Sequence, residues 1–314
     1  MERIEFKHEP VLLSECIEAL AIKPDGIYAD GTAGGGGHSS AIAAKLETGR
    51  LIAVDRDPAA IKAAGERLAQ FGERTVLIKA NYSELPEVLD KLGFSALDGV
   101  LLDLGVSSHQ LDEAERGFSY HNDAPLDMRM EQDGMSAADV VNTYEERELT
   151  RIFREYGEER FARGIARGIV AARQKKPIET TAELVEIIKS NIPAAARREG
   201  GHPAKRVFQA IRIEVNAELV HLYDCLAPIF ERLSVGGRFA IITFHSLEDR
   251  MVKRAFAAFC QGCTCPPEFP ICICGKQPRA KLISRKPFAA SEEELARNNR
   301  SRSARLRVLE KIAE

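Results

Sequence analysis

The residues best suited to chemistry follow a run of glycines. Residues 30–38 read Asp-Gly-Thr-Ala-Gly-Gly-Gly-Gly-His, directly after an apolar segment. Four successive glycines let the backbone approach a ligand closely and take positive φ angles. Their spacing does not fit the G-x-G-x-x-G pattern of a dinucleotide site, and the acid before them opposes a phosphate. Asp30 instead suits a ligand that carries positive charge, such as the amino group or sulfonium of S-adenosylmethionine.

Polar residues also end the next three apolar segments. Asp55 comes about 24 residues after the first glycine, where a carboxylate can accept both hydroxyls of a ribose. Tyr82 offers a ring that can stack on adenine, and Asp103 would lie beside the reaction centre. Each residue keeps a simpler alternative, because acids also cap helices and a single tyrosine commonly packs in a core. Together the strand ends predict one adenosyl-shaped ligand.

The elements that position these residues alternate along the first hundred positions. Short, nearly continuous apolar runs are separated by segments with helical spacing, which predicts βαβ units and a parallel sheet covered on both faces. Ligands of such sheets bind at the carboxyl ends of the strands. The predicted strands are GIYADGT, LIAVDRDP, TVLIKAN and LDGVLLDLG, and then, after the middle of the chain, Phe239 to Phe244, AKLISRKP and SARLRVLE.

The middle of the chain breaks this alternation. About 25 residues after Asp103 show no helical period but contain several large apolar side chains, which favours a lid or binding loop over disorder. From about residue 136 to 222 the pattern is helical without strands, which predicts an inserted helical domain. We therefore expect a discontinuous domain over 1–107 and 217–314, with the lid loop and helical insert over 108–216.

Charge is distributed unevenly. The chain has 314 residues and a formal net charge of -3, from 44 basic and 47 acidic residues, which argues against a uniformly basic nucleic-acid binder. However, residues 151–176 carry eight basic residues against three acids, and residues 297–307 carry five arginines and no acid. Both segments predict phosphate contacts. A stripe of Gln209, Arg212 and Asn216 at helical spacing is a further candidate RNA face, although a solvated surface remains the alternative.

The N-terminal region and the length of the apolar runs bear on where in the cell the protein is found. The first residues lack the order of a signal peptide, and no apolar run approaches the ~18 to 20 residues of a membrane span, so we expect a cytoplasmic protein.

Five of seven cysteines cluster as Cys260, Cys263, Cys265, Cys272 and Cys274. The first half fits the spacing of structural zinc but the second is cramped. We predict no metal, and reduced thiols or a redox-labile hairpin are favoured.

Several motifs together resemble the RsmH (MraW) family, whose members are S-adenosylmethionine-dependent methyltransferases of bacterial small-subunit rRNA. The resemblance runs almost from end to end, and the long irregular segment at 102–130 makes it specific. The motifs are HEPVLLSE at 8–15, DGTAGGGGHS at 30–39, AVDRDP at 53–58, LDLGVSSHQLDEAERGFSYHNDAPLDMRM at 102–130, RVFQAIRIEVNAEL at 206–219, FHSLEDR at 244–250 and NRSRSARLR at 299–307.

The resemblance implies a Rossmann-like class I methyltransferase sheet of the α/β class with an inserted all-helical domain on the RNA-substrate side. It also implies methylation of the exocyclic N4 of a cytosine in the decoding centre of 16S rRNA, as free rRNA or small ribosomal subunit. Carried over position by position, the cofactor contacts would be Gly36, Gly37, His38, Asp55, Tyr82, Asp103 and Gln110. The role of His38 and that of Gln110 rest on the resemblance alone.

The general base is not assigned. Asp103, Asp127, Arg129 and His245 are the candidates for orienting the target base or taking its proton, and Phe118 or Tyr120 could stack on it. His245 would lie at a strand end, although Ser246, Glu248 and Asp249 could equally form a helix N-terminus. A non-catalytic ribosome-binding assembly factor and a nucleotide-dependent oxidoreductase remain alternative functions. The sequence leaves a homodimer open.

Overall fold

The computed structural model describes residues 10–131, 133–198, 201–266, 268–269, 271 and 273–314. The first part alternates helix and strand as α1 (Leu13–Leu20), β1 (Ile27–Asp30), α2 (Gly37–Ala43), β2 (Arg50–Asp55), α3 (Pro58–Leu68), β3 (Thr75–Lys79), α4 (Leu85–Leu92) and β4 (Leu97–Asp103). The middle part is helical, with α5 (Ser108–Asp112), α6 (Ala137–Thr143), α7 (Glu146–Glu155), α8 (Ala162–Arg173), α9 (Thr181–Ser190), α10 (Ala194–Arg197) and α11 (Lys205–Val215). The last part contains α12 (Glu218–Glu231), β5 (Leu233–Thr243), α13 (Ser246–Phe259), β6 (Ala280–Leu282), α14 (Glu292–Arg297) and β7 (Arg305–Lys311).

Within the described residues, seven strands form one sheet in the order β3-β2-β1-β4-β5-β7-β6. Strands β1 to β5 run parallel to one another, while β7 is antiparallel to both of its neighbours. The strand order reverses between β1 and β4, and ligands of open parallel sheets bind at the carboxyl ends of strands at such a reversal. The predicted fold class, an α/β Rossmann-like sheet with an inserted helical part, is confirmed.

The strand segments are apolar because helices cover both faces of the sheet. Residues Leu51–Val54 of β2 and Phe239–Ile242 of β5 have no measurable exposure. The predicted strand at 239–244 was too short, since β5 begins at Leu233 and contains the Gly-Gly pair at 236–237. The pairing of β5 with β4 shifts register at this point, because Leu97 pairs with Leu233 whereas Gly99 pairs with Arg238. The Gly-Gly pair therefore lies in a bulge of β5.

The described residues divide into two compact units, one within 1–105 and 220–314 and the other within 106–219. The predicted boundaries, at 107/108 and 216/217, lie within three residues of these. The second unit has a core of its own, which includes Phe153, Ile165 and Ile211 with no exposure. No described helix is long and apolar enough to cross a membrane.

The segment that follows β4 packs against other residues of the unit within 106–219, to which it belongs. Its short helix α5 and a 3-10 turn at Ala114–Arg116 interrupt the loop that the sequence predicted to be irregular. Pro125 pairs with Thr180 in an isolated antiparallel bridge, and Leu126 and Met128 are buried in the core of this unit. Phe118 is also buried, which leaves Tyr120 as the more accessible of the two candidate stacking residues.

Candidate functional site

The glycine turn connects β1 to α2 at the reversal point of the sheet. Gly36 has a φ angle of 77° and precedes the first helical residue, a left-handed conformation that a side chain would strain. A Cβ atom on Gly37 would collide with the Pro10 ring. The N–H of Gly34 donates to Oδ2 of Asp55 at 2.8 Å, so the turn is held against the end of β2. The predicted Gly36, Gly37 and Asp55 are therefore neighbours at one edge of the sheet.

Asp30 lies behind this turn. Its side chain has no exposure, Ser39 Oγ donates to Oδ2 at 2.6 Å, and the Thr32 N–H donates to Oδ1 at 3.1 Å. The Asp30 carboxylate is enclosed and is hydrogen-bonded within the turn, and its predicted contact with a positively charged ligand stays a prediction. Burial raises the pKa of Asp30 despite these hydrogen bonds. Its role in the described structure is to fix the turn.

Asp55 ends β2 with a carboxylate that is only partly satisfied by the backbone. Oδ2 accepts the Gly34 N–H and Oδ1 accepts the Asp57 N–H at 2.9 Å. A carboxylate oxygen has two lone pairs, so each oxygen can accept one more hydrogen bond. Burial raises the pKa of Asp55 from its ordinary value to about 6, and the two backbone donors oppose that rise. The remaining acceptor capacity matches two adjacent hydroxyl groups.

His38 and Asp103 form a pair between the first turn of α2 and the end of β4. His38 is buried and its Nε2 lies 2.9 Å from the Val11 carbonyl oxygen, which can only accept, so Nε2 carries the hydrogen. Its Nδ1 lies 3.6 Å from Asp103 Oδ2. Asp103 Oδ1 is buried and has no hydrogen-bond partner within the described part of the chain. Burial, and then the nearby charges of Asp30 and Glu248, raise the pKa of Asp103 well above its ordinary range.

Asn81 is a residue that the sequence-based set of contacts omitted. It caps the short turn at Tyr82–Glu84 after β3, with its Oδ1 accepting the Ser83 N–H at 3.1 Å. Its Nδ2 is buried and has no hydrogen-bond partner among the residues described. Tyr82 is partly buried and lies against Gly31, since a Cβ on that glycine would fall within 2.9 Å of the Tyr82 Cβ. An amide next to a strand-end aromatic residue was the signal that could have identified Asn81.

His245 is the N-cap of α13, one residue earlier than the predicted Ser246. Its side chain receives the Glu248 N–H in a capping box, and its Nε2 lies 3.1 Å from Glu248 Oε1. Glu248 is almost fully buried and its other carboxylate oxygen accepts the Phe244 N–H at 2.8 Å. The helix N-terminus that the sequence offered at this strand end is confirmed, with His245 as its N-cap, and the role of His245 toward the target base stays a prediction.

Three predicted residues belong to the unit of residues 106–219. Gln110 is buried, and its Oε1 accepts the Ser107 N–H at 2.9 Å. Arg129 forms a fork with Asp127, with Nη2 2.6 Å from Oδ2 and Nε 3.1 Å from Oδ1. Hydrogen bonds from Arg129 hold the pKa of Asp127 below its ordinary value despite partial burial. A carboxylate held in this way is a poor proton acceptor, so these two side chains fit positioning better than acid–base work.

The polar stripe on α11 is not an open RNA face. Gln209 Nε2 donates to the Tyr156 carbonyl at 2.9 Å, and Arg212 donates to both carboxylate oxygens of Glu218 at 2.7 and 2.8 Å. Asn216 accepts the N–H of Met130 and donates to the carbonyl of Met128, each at 2.8 Å. The prediction was wrong because the partners of these side chains are distant in sequence and invisible to helical spacing.

The two basic segments differ in the exposure and ion pairing of their arginines. Arg160, Arg163 and Arg167 are exposed on or beside α8, opposite the buried Ile165 and Ile169, as the helical pattern predicts. In the C-terminal segment, Arg307 is occupied by a fork with Asp249 at 2.7 and 3.0 Å. Arg302 is exposed.

Comparison with known proteins shows which family this chain resembles. The family model described as the MraW methylase family matches residues 5–312. A protein of Lachnospira eligens named ribosomal RNA small subunit methyltransferase H is 57% identical over 311 residues, which are 98% of this chain and 99% of that protein. One of the same name from Symbiobacterium thermophilum is 57% identical over 309 residues, 98% of this chain and 97% of that protein. A solved rRNA methylase from Streptococcus thermophilus is 13% identical with a TM-score of 0.43, covering 98% of this chain and 99% of its own.

Proposed function

The chain belongs to the MraW methylase family, and from that premise we propose that it transfers a methyl group from S-adenosylmethionine to the exocyclic N4 of a cytosine in the decoding centre of 16S rRNA. The relatives named above are named for methylation of small-subunit ribosomal RNA. That substrate belongs where ribosomal subunits assemble, so a cytoplasmic location is part of the proposal. Family membership removes the ground for the oxidoreductase alternative.

The observation that carries the cofactor proposal is a set of unfilled polar atoms at the carboxyl ends of β2, β3 and β4. Asp55 has acceptor capacity for two hydroxyls, Asn81 Nδ2 is a donor without a described partner, and Asp103 Oδ1 is an acceptor without one. Tyr82 adds an aromatic ring beside them. A ribose, an adenine and a positively charged group fit this donor set, and S-adenosylmethionine carries all three. We propose Gly36, Gly37, His38, Asp55, Tyr82 and Asp103 as its contacts in this unit, with Gln110 as the contact implied by family resemblance.

The chemistry required of the protein is mainly orientation. S-adenosylmethionine supplies an electrophilic methyl group on a sulfonium sulfur. Cytosine N4 is a weak nucleophile because its lone pair is delocalised into the ring, so the protein must hold it in line with that methyl group at about 3 to 3.5 Å. Asp103 Oδ1 can accept a hydrogen bond from a donor placed at the end of β4, and His38 limits how far that carboxylate can turn.

Neither of the two buried cysteines, Cys16 and Cys225, supports methylation at carbon 5 of the ring. Attack through carbon 5 needs a nucleophilic thiolate that adds to the ring first. Cys16 is fully buried, and burial raises its pKa well above the ordinary value, so it remains a thiol. Cys225 is also fully buried with a raised pKa. The amine pathway requires only that a proton leave after transfer, for which Asp103 and His245 are the proposed candidates.

RNA would be held by the exposed arginines of α8 and of the C-terminal segment. Arg163 and Arg167 are exposed on the unit of residues 106–219, which we propose as the substrate side. Arginine contacts to phosphates give affinity and salt dependence without reading sequence, so the choice of cytosine must come from elsewhere in the site. A homodimer is not part of the proposal.

The test is methyl transfer from labelled S-adenosylmethionine to free 16S rRNA and to assembled small subunits, followed by mass spectrometry of the nucleosides. We expect N4-methylcytosine with one of the two substrates. Label in C5-methylcytosine would contradict the proposed atom. Absence of label in both, with RNA binding intact, would favour a non-catalytic assembly factor instead.

A further inference from the structure

A cluster of three cysteines lies outside the proposed methyl-transfer site. Cys263, Cys265 and Cys274 follow α13, and their sulfur atoms all lie within 4.8 Å of one another. Cys263 and Cys274 are exposed and Cys265 is partly buried. No disulfide is formed among the cysteines that the structure describes. The backbone brings together residues that are about ten positions apart, so the convergence is a property of the fold and not of adjacency alone.

The sulfur separations match a metal-thiolate site. In a tetrahedral zinc site, each sulfur lies about 2.3 Å from the ion, which puts neighbouring sulfurs about 3.8 Å apart. The Sγ atoms of Cys263 and Cys274 are 3.7 Å apart. A disulfide would require about 2.05 Å between them. The described geometry therefore corresponds to the edge of a metal tetrahedron and not to a bonded pair.

Backbone N–H groups point at all three sulfurs. Cys274 Sγ accepts the Thr264 N–H at 3.5 Å, Cys263 Sγ accepts the Cys265 N–H at 3.4 Å, and Cys265 Sγ accepts the Ile273 N–H at 3.4 Å. Hydrogen bonds to sulfur stabilise the thiolate form, which is the form that binds metal. Gly275 follows with a φ angle of 63°, which lets the chain turn away directly after Cys274.

The grouping differs from what cysteine spacing suggested. Cys260, which forms the Cys-x-x-Cys spacing with Cys263, is the C-cap of α13 and is not part of the cluster. Cys272 lies outside the described residues, and the proposal does not depend on where it is. The sequence-based prediction of no metal rested on the cramped second pair, whereas the fold joins one residue of that pair to two of the first group.

We propose that Cys263, Cys265 and Cys274 bind a Zn²⁺ ion that joins these parts of the segment after α13, with a fourth ligand completing the tetrahedron. Three thiolates are soft ligands and select zinc over magnesium or calcium. The ion ties residues 263–265 to residue 274 and takes no part in methyl transfer, so the site is structural. It therefore stands independently of the proposed function.

The test is metal binding by the full chain purified under reducing conditions. Elemental analysis should find one zinc per chain, and a chelator should remove it. Adding Co²⁺ to the metal-free protein should produce sulfur-to-cobalt charge-transfer absorption and the visible bands of tetrahedral cobalt. X-ray absorption should count at least three sulfur ligands. Trypsin should cleave after the exposed Lys276 faster in the metal-free protein than in the zinc-loaded protein.

Variants provide the controls. Cys263→Ser and Cys274→Ser should each abolish stoichiometric zinc binding, whereas Cys260→Ser and Cys225→Ala should retain it. Circular dichroism should show all four folded, and the removal of zinc from the unaltered chain tests the site without any substitution. The proposal would be overturned by the absence of zinc, by fewer than three sulfur ligands, or by a Cys263–Cys274 disulfide in freshly isolated protein. Unchanged zinc binding in both Cys263→Ser and Cys274→Ser would also overturn it.

Discussion

The Nδ1 atom of His38 lies 3.6 Å from Oδ2 of Asp103, and this pair joins the first turn of α2 to the end of β4. The other oxygen of Asp103 has no partner among the described residues. Because burial and then the nearby charges of Asp30 and Glu248 disfavour the ionised form, the pKa of Asp103 is raised well above the ordinary range. A positively charged group bound nearby would reverse that shift, so cofactor binding and ionisation of Asp103 should be coupled.

Asp103→Asn keeps the shape of the side chain and removes its charge. We expect cofactor affinity to fall by about tenfold to a hundredfold, the usual cost of about 1.5 to 3 kcal/mol for losing a hydrogen bond to a charged group. Isothermal titration with S-adenosylmethionine measures this. Asp98→Asn is the matched control, since Asp98 lies near the other end of the same strand and pairs with Lys23. Equal affinities in the two variants would contradict the assignment.

Asp55 should make cofactor binding depend on pH. Its pKa is raised to about 6, and only the ionised carboxylate accepts hydrogen bonds from two hydroxyls with both oxygens. Above pH 6 the group is ionised and binding costs no proton, whereas below pH 6 each binding event must release one. The dissociation constant should therefore rise as pH falls below about 6, approaching tenfold per pH unit.

The Asp55→Ala variant checks the origin of that dependence. It should bind S-adenosylmethionine more weakly at neutral pH and should lose the part of the pH dependence that is centred near 6. Titrations at several pH values in one buffer series compare the two proteins. An unchanged affinity in Asp55→Ala would rule out a contact with the ribose.

The C-terminal arginines should contribute to RNA affinity and not to cofactor affinity. Replacing Arg300, Arg302 and Arg305 together by alanine should weaken binding to 16S rRNA and reduce its salt slope by up to about 2, at about 0.7 for each phosphate that is no longer neutralised. Fluorescence anisotropy over a range of salt concentrations measures the slope. The control is Lys62→Ala with Lys91→Ala, which removes exposed charge from α3 and α4. A slope that falls equally in the control would show a general charge effect.

The sheet was predictable because its strands are enclosed by helices and therefore read as apolar runs. Asp55, Tyr82 and Asp103 could be selected because each ends such a run at the edge where a ligand binds. The misreadings concern side chains whose partners are far away in sequence. Asp30 ends a run in the same way, yet it is fully enclosed, and no local pattern separates an exposed strand-end acid from an enclosed one.

The α11 stripe and the cysteine cluster were misread because their partners lie elsewhere in the sequence. Asn216 is spaced as though it faced solvent, but it is bonded to a loop that lies about 86 residues earlier in the chain. Cys260 and Cys263 have the spacing of a metal pair, but Cys260 is the C-cap of α13, and the sulfur atoms that lie close to Cys263 are those of Cys265 and Cys274. Spacing reports neighbours on one helix or turn, and tertiary contacts decide which of those neighbours meet a partner.

Asn216 should therefore be important for stability and for the order of the loop before α6. Its amide spans the carbonyl of Met128 and the N–H of Met130, and Met128 has a φ angle of 60°, a strained value for a residue other than glycine. Asn216→Ala leaves two buried backbone groups unsatisfied and should lower the free energy of unfolding by about 2 to 4 kcal/mol. Asn216→Asp retains an acceptor for Met130 but offers Met128 no donor.

We expect Asn216→Ala to be less stable than Asn216→Asp at low pH, where the acid is neutral, in chemical denaturation followed by circular dichroism. Proteolysis should first cut within residues 104–130 in the alanine variant, because the strained backbone loses both of its hydrogen bonds to Asn216. Gln209→Ala is the control on the same helix, since it removes a single hydrogen bond, to the Tyr156 carbonyl. If Asn216→Ala were no less stable than Gln209→Ala, the loop would be held by its apolar residues and not by this amide.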